Sequence, residues 1–287
     1  MTRTLAAVLS LALVIAACGD DTATPPSSSP GDAVPLFPEG AFAFSASSVL
    51  AVGEERLLVA VSNPSGARLA SQDVPVTISV WPEGHSDLAH AEAGIFTWAL
   101  EGVSGLYRAV FTFDEPGTWL VVVTPDGGEP LDPFGVTVQA ESPVPAVGEP
   151  APRSDSPTGD EFELGDISTD PEPDPRFYEL SVAEAVTNGR PSVIVFATPA
   201  FCQTAVCGPT LDTVKGIVGE HPDVDFVHVE VYTNLDDPEN LQLAPAVTEW
   251  GLPSEPWVFV VDAAGVVRAR FEGVITPGEL SAALRES

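Results

Sequence analysis

Apolar and polar residues alternate in short runs between residues 36 and 140, and turn residues interrupt these runs about every ten positions. The clearest run extends from Val74 to Trp81, where a branched apolar residue occupies every second position up to Val80. Further strands are predicted at Arg56–Val61, Gly94–Leu100, Leu106–Phe113, Thr118–Thr124 and Phe134–Gln139. This period of two predicts an all-β domain.

About seven short strands separated by turns such as Asn63-Pro64-Ser65-Gly66 indicate an immunoglobulin-like sandwich for residues 36–140. The region has no cysteine and no catalytic cluster. His85 and His90 are interpreted as histidines of surface loops. A role as a spacer or as a protein-binding module is expected, because the fold alone does not distinguish the two.

The pattern changes after residue 176 to alternating helices and strands. Ser181 and Glu184 are spaced as a capping box, which predicts a short helix, and the apolar run Ser192–Phe196 predicts a strand buried on both faces. The remaining predicted elements are a helix at 203–219, a strand at 224–232, a helix at 241–250, a hairpin at 257–262 and 266–272, and a helix opened by Thr276. Residues 176–287 are therefore predicted to form an α/β domain.

Residues 141–175 separate the two predicted domains and are rich in proline and acidic residues. The run D-P-E-P-D-P at 170–175 disfavours a packed core. This segment is therefore predicted to be a semi-extended linker that contains the domain boundary.

The first 35 residues have the pattern of an export signal followed by a polar stalk. Arg3 precedes an apolar run at 5–17, which is shorter than the about 20 residues that a membrane-spanning helix needs. Ile15-Ala16-Ala17-Cys18 resembles the bacterial lipobox, which implies removal of residues 1–17 and acylation of Cys18. Residues 18–35 are expected to form a flexible stalk. The predicted location is the extracytoplasmic face of the cell membrane, where lipid on Cys18 anchors the chain to the bilayer.

The composition narrows the range of partners and of cysteine chemistry. The net charge is −31, and Lys215 is the only lysine, so nucleic acid is excluded as a partner because phosphate binding needs clustered basic residues. If Cys18 carries lipid, Cys202 and Cys207 are the two cysteines that remain. In an oxidising compartment such a pair is a candidate disulfide or dithiol.

The order of elements after residue 176 resembles that of the thioredoxin-like superfamily. Cys202 follows the strand that ends at Phe196, and Pro209-Thr210-Leu211-Asp212 is similar to a motif in the second helix of thioredoxin. The segment 250–262 is similar to the one that carries the family's cis-proline, and 147–152 resembles the lead-in of membrane-tethered TlpA-like domains. The resemblance implies a thioredoxin-like fold with a redox-active cysteine site. It also implies a cis-proline at Pro256 that, with Glu255, binds an extended substrate.

The cysteine motif departs from the motifs of known members. Family oxidoreductases have Trp before a Cys-x-x-Cys, whereas Phe201 precedes Cys202 here and the second cysteine is Cys207. The threonine of the peroxiredoxin motif is replaced by Pro199, and no histidine follows His228, in contrast to copper-delivering Sco-like proteins. The sequence therefore indicates the fold more strongly than any one of these activities.

A cysteine between a strand and a helix lies near the positive end of the helix dipole, which favours the thiolate. In the redox interpretation Cys202 attacks a disulfide of an exported protein and Cys207 resolves the mixed disulfide, without a cofactor. Within one regular helix the two cysteines would be separated by roughly 7.5 Å of rise, beyond the limit of about 7 Å between Cα atoms. A disulfide therefore requires Cys202 to lie in the loop before the helix.

Other interpretations of the pair stay open. The bond can be structural, or Cys207 can be buried beside an unpaired Cys202. We predict a thiol–disulfide oxidoreductase and assign no metal site. The alternative is a non-catalytic binding or assembly lipoprotein with the thioredoxin-like fold as a scaffold. Its sharpest form binds copper through both cysteines and one histidine.

Overall fold

The computed structural model describes residues 36–286, and the first half of this range consists of seven strands. Their bounds are β1 Phe42–Ser45, β2 Gly53–Ser62, β3 Val76–Pro82, β4 His90–Leu100, β5 Ser104–Phe113, β6 Gly117–Pro125 and β7 Phe134–Val138. Every strand predicted in this region is present, with its ends shifted by a few residues. The predicted signal peptide, the lipid-carrying Cys18 and the stalk lie outside the described residues.

All neighbouring strands of this half are antiparallel, in the order β1-β2-β5-β4-β3-β6-β7. Strand β4 takes part in two pairings, since its residues 90–94 pair with β3 and its residues 95–100 pair with β5. At Gly94, where the pairing changes, a Cβ atom would lie 2.4 Å from Val76 Cγ2, so the site requires glycine. The Val52 N–H donates to the Gln139 carbonyl at 2.9 Å, which draws the two ends of the sheet together and gives it a barrel-like curl.

The strands enclose one apolar core. Trp119 and Phe113 are fully buried in it and meet edge to face, with ring centroids 4.9 Å apart. The hydroxyl of Tyr107, at the margin of the core, donates to the Val74 carbonyl at 2.8 Å. The prediction that this half is all-β is confirmed.

The second half contains both helices and strands. In chain order they are α1 Leu164–Ile167, α2 Val182–Ala185, β8 Ser192–Phe196, α3 Cys207–Ile217, β9 Asp225–Val229, β10 Tyr232–Thr233, β11 Gln242–Leu243, α4 Pro245–Glu249, β12 Trp257–Val261, β13 Val267–Glu272 and α5 Pro277–Glu286. Ser181 and Glu184 form the predicted capping box before α2. Helix α4 begins later than predicted because residues 242–243 pair with β10. Within residues 36–286 no helix is long and apolar enough to cross a membrane.

The main sheet of this half has the order β13-β12-β8-β9, with β8 and β9 parallel and the other pairs antiparallel. Every residue of β8 and β12 is buried. Successive side chains alternate between two cores, so Val195 packs with residues of α3 and α5 while Phe196 packs with residues of α2 and α4. Helices therefore cover both faces of the sheet, which explains why residues 193–196 of β8 are all apolar.

Residues 141–175 lie beside the second half and are bonded to it. The Gly148 N–H donates to the Val267 carbonyl at 2.8 Å, and the Ala151 N–H donates to the Gly265 carbonyl at 2.9 Å. Val144 is fully buried. The segment is thus packed against the second half, along the edge of the sheet near residues 148–151, and it is not extended throughout because it contains α1. The domain limits stay predictions, and residues 36–286 belong to one compact unit.

Candidate functional site

A disulfide bond joins Cys202 to Cys207, and their Cα atoms are 6.0 Å apart. Cys207 is the first residue of α3 and is fully buried. Cys202 lies in the loop between β8 and α3 and is partly exposed. A partner from solution can therefore reach one sulfur and not the other.

Helix α3 begins at Cys207, four residues after the predicted start at Gln203. Ala205 has a φ of 60°, a left-handed conformation that a right-handed helix cannot contain. Its N–H donates to the Cys202 carbonyl at 3.3 Å, which closes a tight turn. This turn places Cys202 in the loop before α3. The sequence predicts that a disulfide requires this position, because the two cysteines are five residues apart.

The sulfur of Cys202 has two polar neighbours. The backbone N–H of Cys207 donates to it at 3.3 Å, and the hydroxyl oxygen of Thr204 is also 3.3 Å away. Donors at the beginning of a helix stabilise negative charge. Once the bond is opened, these groups favour a thiolate on Cys202.

Glu255 and Pro256 lie beside the disulfide. The peptide bond between them is cis, as the resemblance implied for Pro256. One carboxylate oxygen of Glu255 lies within 4.8 Å of both sulfurs. Burial raises the pKa of Glu255, and its Oε2 atom is buried without a hydrogen-bond partner among the described residues. A carboxyl group that binds a proton more readily than an exposed glutamate thus lies next to the bond.

Glu230 is a second buried carboxyl group of the site, one that the sequence pattern did not indicate. Its Oε1 atom accepts hydrogen bonds from the N–H and the hydroxyl of Thr169, at 2.5 and 2.7 Å. Burial raises the pKa of Glu230 to about 7, and the charge of Glu255 raises it as well. Thr198 lies close to both carboxyl groups and lowers the pKa of each. We call Glu230 and Glu255 the carboxylate pair. The sequence feature that could have identified Glu230 is its position directly after the buried strand β9.

Residues 168–172, which the sequence assigned to the linker, form part of the site. The hydroxyl of Thr169 accepts a hydrogen bond from the Ala200 N–H at 3.2 Å while it donates to Glu230. On α3, the Lys215 ammonium group contacts Asp170 Oδ2 at 2.7 Å. The segment is therefore fixed both to the cysteine loop and to the helix that follows it.

His228 is not available as a metal ligand. Its Nε2 atom is 2.9 Å from the Ala197 carbonyl oxygen, and its Nδ1 atom is 2.7 Å from the Tyr178 hydroxyl. Because a carbonyl only accepts, Nε2 carries the proton. Burial lowers the pKa of His228 to about 4, so the ring is neutral at physiological pH. His85 and His90 are exposed in the N-terminal half, in agreement with the sequence interpretation.

The structure brings together all the site residues predicted within its range, namely Cys202, Cys207, Glu255 and Pro256. The two cysteines and Glu255 are also the residues that could hold a metal ion, in the reduced state only, since the sulfurs are bonded to each other in the oxidised state. Neither a protein-family model nor a curated protein matches this chain. The function is therefore argued from the geometry of the site.

Proposed function

We propose that this protein is a lipid-anchored, extracytoplasmic thiol–disulfide oxidoreductase that acts on exported proteins through a thioredoxin-like domain. The observation that carries the proposal is the Cys202–Cys207 disulfide, which has one accessible and one buried sulfur next to a carboxylate of raised pKa. Groups with shifted pKa values cluster at functional sites. A bond with a purely structural role has no need of such a neighbour.

The architecture of both halves supports the finer fold assignments in this proposal. The second half combines a parallel pair, β8 and β9, with the antiparallel strands β12 and β13, and helices cover both faces. Its cysteine loop joins β8 to α3, and Pro256 immediately precedes β12. These features favour a thioredoxin-like domain. The seven antiparallel strands around one core favour an immunoglobulin-like sandwich for the first half.

The exchange begins at the accessible sulfur. A thiolate of the partner attacks Sγ of Cys202, the bond to Cys207 breaks, and Cys207 leaves as a thiolate. A second thiolate of the partner then attacks the partner sulfur of the mixed disulfide and releases Cys202. The partner loses two electrons and gains a disulfide, while this protein gains two electrons as a dithiol. The reverse sequence reduces a partner disulfide and uses an external dithiol to restore the reduced site.

The carboxylate pair handles the proton that accompanies these steps. Cys207 is buried, so its thiolate is unfavourable unless it is protonated or solvated. Glu255 lies within 4.8 Å of its sulfur and holds a proton more readily than an exposed glutamate. Glu255 is the proposed proton donor to Cys207.

Loss of the attacking cysteine tests the proposal most directly. In the full-length chain purified in detergent, Cys202→Ser is expected to reduce disulfide exchange with a dithiol peptide to the uncatalysed rate. With a disulfide-bonded peptide as substrate, Cys207→Ser is expected to accumulate a mixed disulfide, because the Cys202 thiolate attacks the peptide disulfide and releases one peptide thiolate, and no second cysteine resolves the product. Cys18→Ser, which removes a cysteine elsewhere in the chain, is the matched control. Exchange at the wild-type rate by Cys202→Ser would sink the proposal.

The anchor is supported by the sequence of residues 1–18 and is tested separately. The N-terminal peptide of the wild-type protein is expected to begin at Cys18 and to carry the mass of its acyl chains. The Cys18→Ser variant is expected to leave the membrane fraction, because the acyl chains supply the attachment. An unmodified Cys18 in the wild-type protein would contradict the anchor without affecting the redox chemistry.

A second candidate function is favoured by the position of Glu255. After reduction, Cys202, Cys207 and Glu255 offer two thiolates and one carboxylate within 4.8 Å of one another. Thiolates suit Cu(I) and Zn²⁺. Titration of the reduced protein with Cu(I) and with Zn²⁺ tests this binding function. Stoichiometric binding that is lost in Glu255→Gln, together with no disulfide exchange, would favour it over the oxidoreductase.

A further inference from the structure

The outer face of β2 and β5 contacts the loop that carries the cysteines. Leu58 of β2 and Leu106 of β5 are buried together with Val274, and Val206 packs against this cluster. Val206 immediately precedes Cys207 and caps the beginning of α3. The N-terminal half thus contacts the chain directly beside the buried sulfur.

Arg56, on the same outer face, holds the segment 272–274. Its guanidinium donates to the carbonyl groups at both ends of this segment, at 3.3 and 2.8 Å. It also forms an ion pair with Glu279 at 2.8 Å, and both side chains are only 12% exposed. Five donors in a planar fork allow arginine to bind several acceptors at once. The segment is therefore clamped from the side of the N-terminal half.

The clamped segment is bonded to both sides of the cysteine site. The N–H of Gly273 donates to the Pro256 carbonyl at 2.8 Å. The carbonyl of Gly273 accepts a hydrogen bond from the Thr210 hydroxyl at 3.1 Å, and Thr210 lies in the first turns of α3. A displacement of this segment would move Pro256 and α3 relative to each other.

A third link reaches the residues before Pro256. The backbone N–H of Ser48 donates to the Glu272 carboxylate at 2.9 Å, and the same carboxylate accepts from the Ser254 hydroxyl at 2.7 Å. The hydroxyl oxygens of Ser48 and Ser254 are 3.0 Å apart. Two different parts of the N-terminal half therefore contact the cysteine site. The loop after β1 is bonded to the residues before Pro256, and the face of β2 and β5 packs against the start of α3.

We propose that the N-terminal β-sandwich is an integral part of the cysteine site. Arg56 and Leu106 are positioning residues that fix α3 and the segment around Pro256 relative to each other. The inference rests on the site of the proposed function, but its readout needs no partner protein. A disulfide is favoured when two thiols are held close together. Loosening the contacts should therefore favour the dithiol and make the reduction potential less negative.

The test measures the reduction potential of the Cys202–Cys207 couple in the full-length chain by thiol trapping in dithiothreitol and glutathione buffers. Arg56→Met and Leu106→Ala are each expected to change the equilibrium constant about tenfold towards the dithiol, which equals about 30 mV for a two-electron couple. Arg190→Met is the matched control. Arg190 pairs with Asp225 at 2.9 Å, and these two residues lie at the beginnings of β8 and β9, at the end of the strands away from the cysteine loop.

The outcomes separate this inference from the proposed function. If both variants are folded by near-ultraviolet circular dichroism and keep the wild-type potential, the sandwich does not position the site. Should Arg56→Met fail to fold, Leu106→Ala decides the question by the same measurement. Shifted potentials in the variants, together with a wild-type protein that does not exchange with dithiol peptides, would support the positioning role and contradict the oxidoreductase.

Discussion

The two halves of the described chain bury different kinds of residue. The core of the N-terminal half is apolar, and its buried polar groups Glu55 and Thr97 face arginines at or near its outer surface. The C-terminal half buries Thr198, His228 and Glu230 close to its sheet. Glu55, the buried carboxylate of the N-terminal half, is paired with Arg270, whereas Glu230 has no ion pair among the described residues.

This difference shows where stability and chemistry reside. Burial of a polar group is unfavourable unless the group is hydrogen-bonded. Oε2 of Glu230 and Oε2 of Glu255 are both buried without a partner among residues 36–286. The C-terminal half thus accepts a local loss of stability at its cysteine site.

The largest expected effect is on the packing core. Trp119→Ala removes a fully buried indole that meets Phe113 edge to face, so the free energy of unfolding should fall by about 3–5 kcal/mol. Urea unfolding followed by circular dichroism measures it. Trp98→Ala is the matched control, because Trp98 is 41% exposed and should cost much less. Equal losses for the two variants would show that the core of this half does not dominate its stability.

An intermediate, pH-dependent effect is expected at the carboxylate pair. The pKa of Glu230 is raised from 4.5 to about 7, so the folded protein keeps a proton that the unfolded chain releases. The contribution of Glu230 to wild-type stability should therefore fall as pH rises from about 4.5 to about 7 and stay level above that range, while His228, whose pKa is lowered to about 4, contributes in the opposite direction. Glu230→Gln removes this dependence, and its gain over wild type should reach up to about 3 kcal/mol at pH 8.

Urea unfolding of wild type and Glu230→Gln at several pH values measures this difference. Glu54→Gln, which removes an exposed glutamate of the N-terminal half, is the control for loss of one negative charge. It should change stability by less than about 0.5 kcal/mol. A difference between Glu230→Gln and wild type that is independent of pH would argue against a protonated Glu230 in the folded protein.

The smallest expected changes in the free energy of unfolding come from removing one buried tyrosine hydroxyl in each half. Tyr178→Phe leaves His228 Nδ1 and Ser168 Oγ without this partner, which should cost about 1–3 kcal/mol. Tyr107→Phe removes bonds to the Val74 and Ser71 carbonyls. Its cost should lie at the lower end of that range, because Ser71 is partly exposed and water can replace the hydroxyl. Thermal unfolding of both variants measures the comparison, and the reverse order would contradict it.

The sequence pattern located elements that depend on local periodicity. Alternation predicted the strands of the N-terminal half, and the continuous apolar run at β8 predicted a strand buried on both faces, because each pattern directly reflects which faces are covered. The predicted start of α3 at Gln203 was wrong by four residues. The left-handed turn at Ala205 ends the loop without the glycine that usually marks such a conformation.

Features that join distant segments were not predictable from the pattern. Glu230 becomes part of the site only because Thr169 and Thr198 reach it from other segments. The pair of Arg56 with Glu279 joins residues 223 positions apart. Residues 168–172 were assigned to a linker by composition, which carries no information about the packing partners of that segment. Local pattern therefore identified the cysteines but not the groups that tune them.

The short spacing of the two cysteines has a consequence for the order of oxidation and folding. Only five positions separate Cys202 from Cys207, and a loop of this size closes in about 10–100 ns in an unfolded chain. Oxidation therefore does not have to wait for folding. The contacts that hold the site join residues as far apart as 56 and 274, and such long-range contacts form late. The unfolded chain can carry its disulfide as an ordinary crosslink, and the groups around the bond assemble only when the fold is complete.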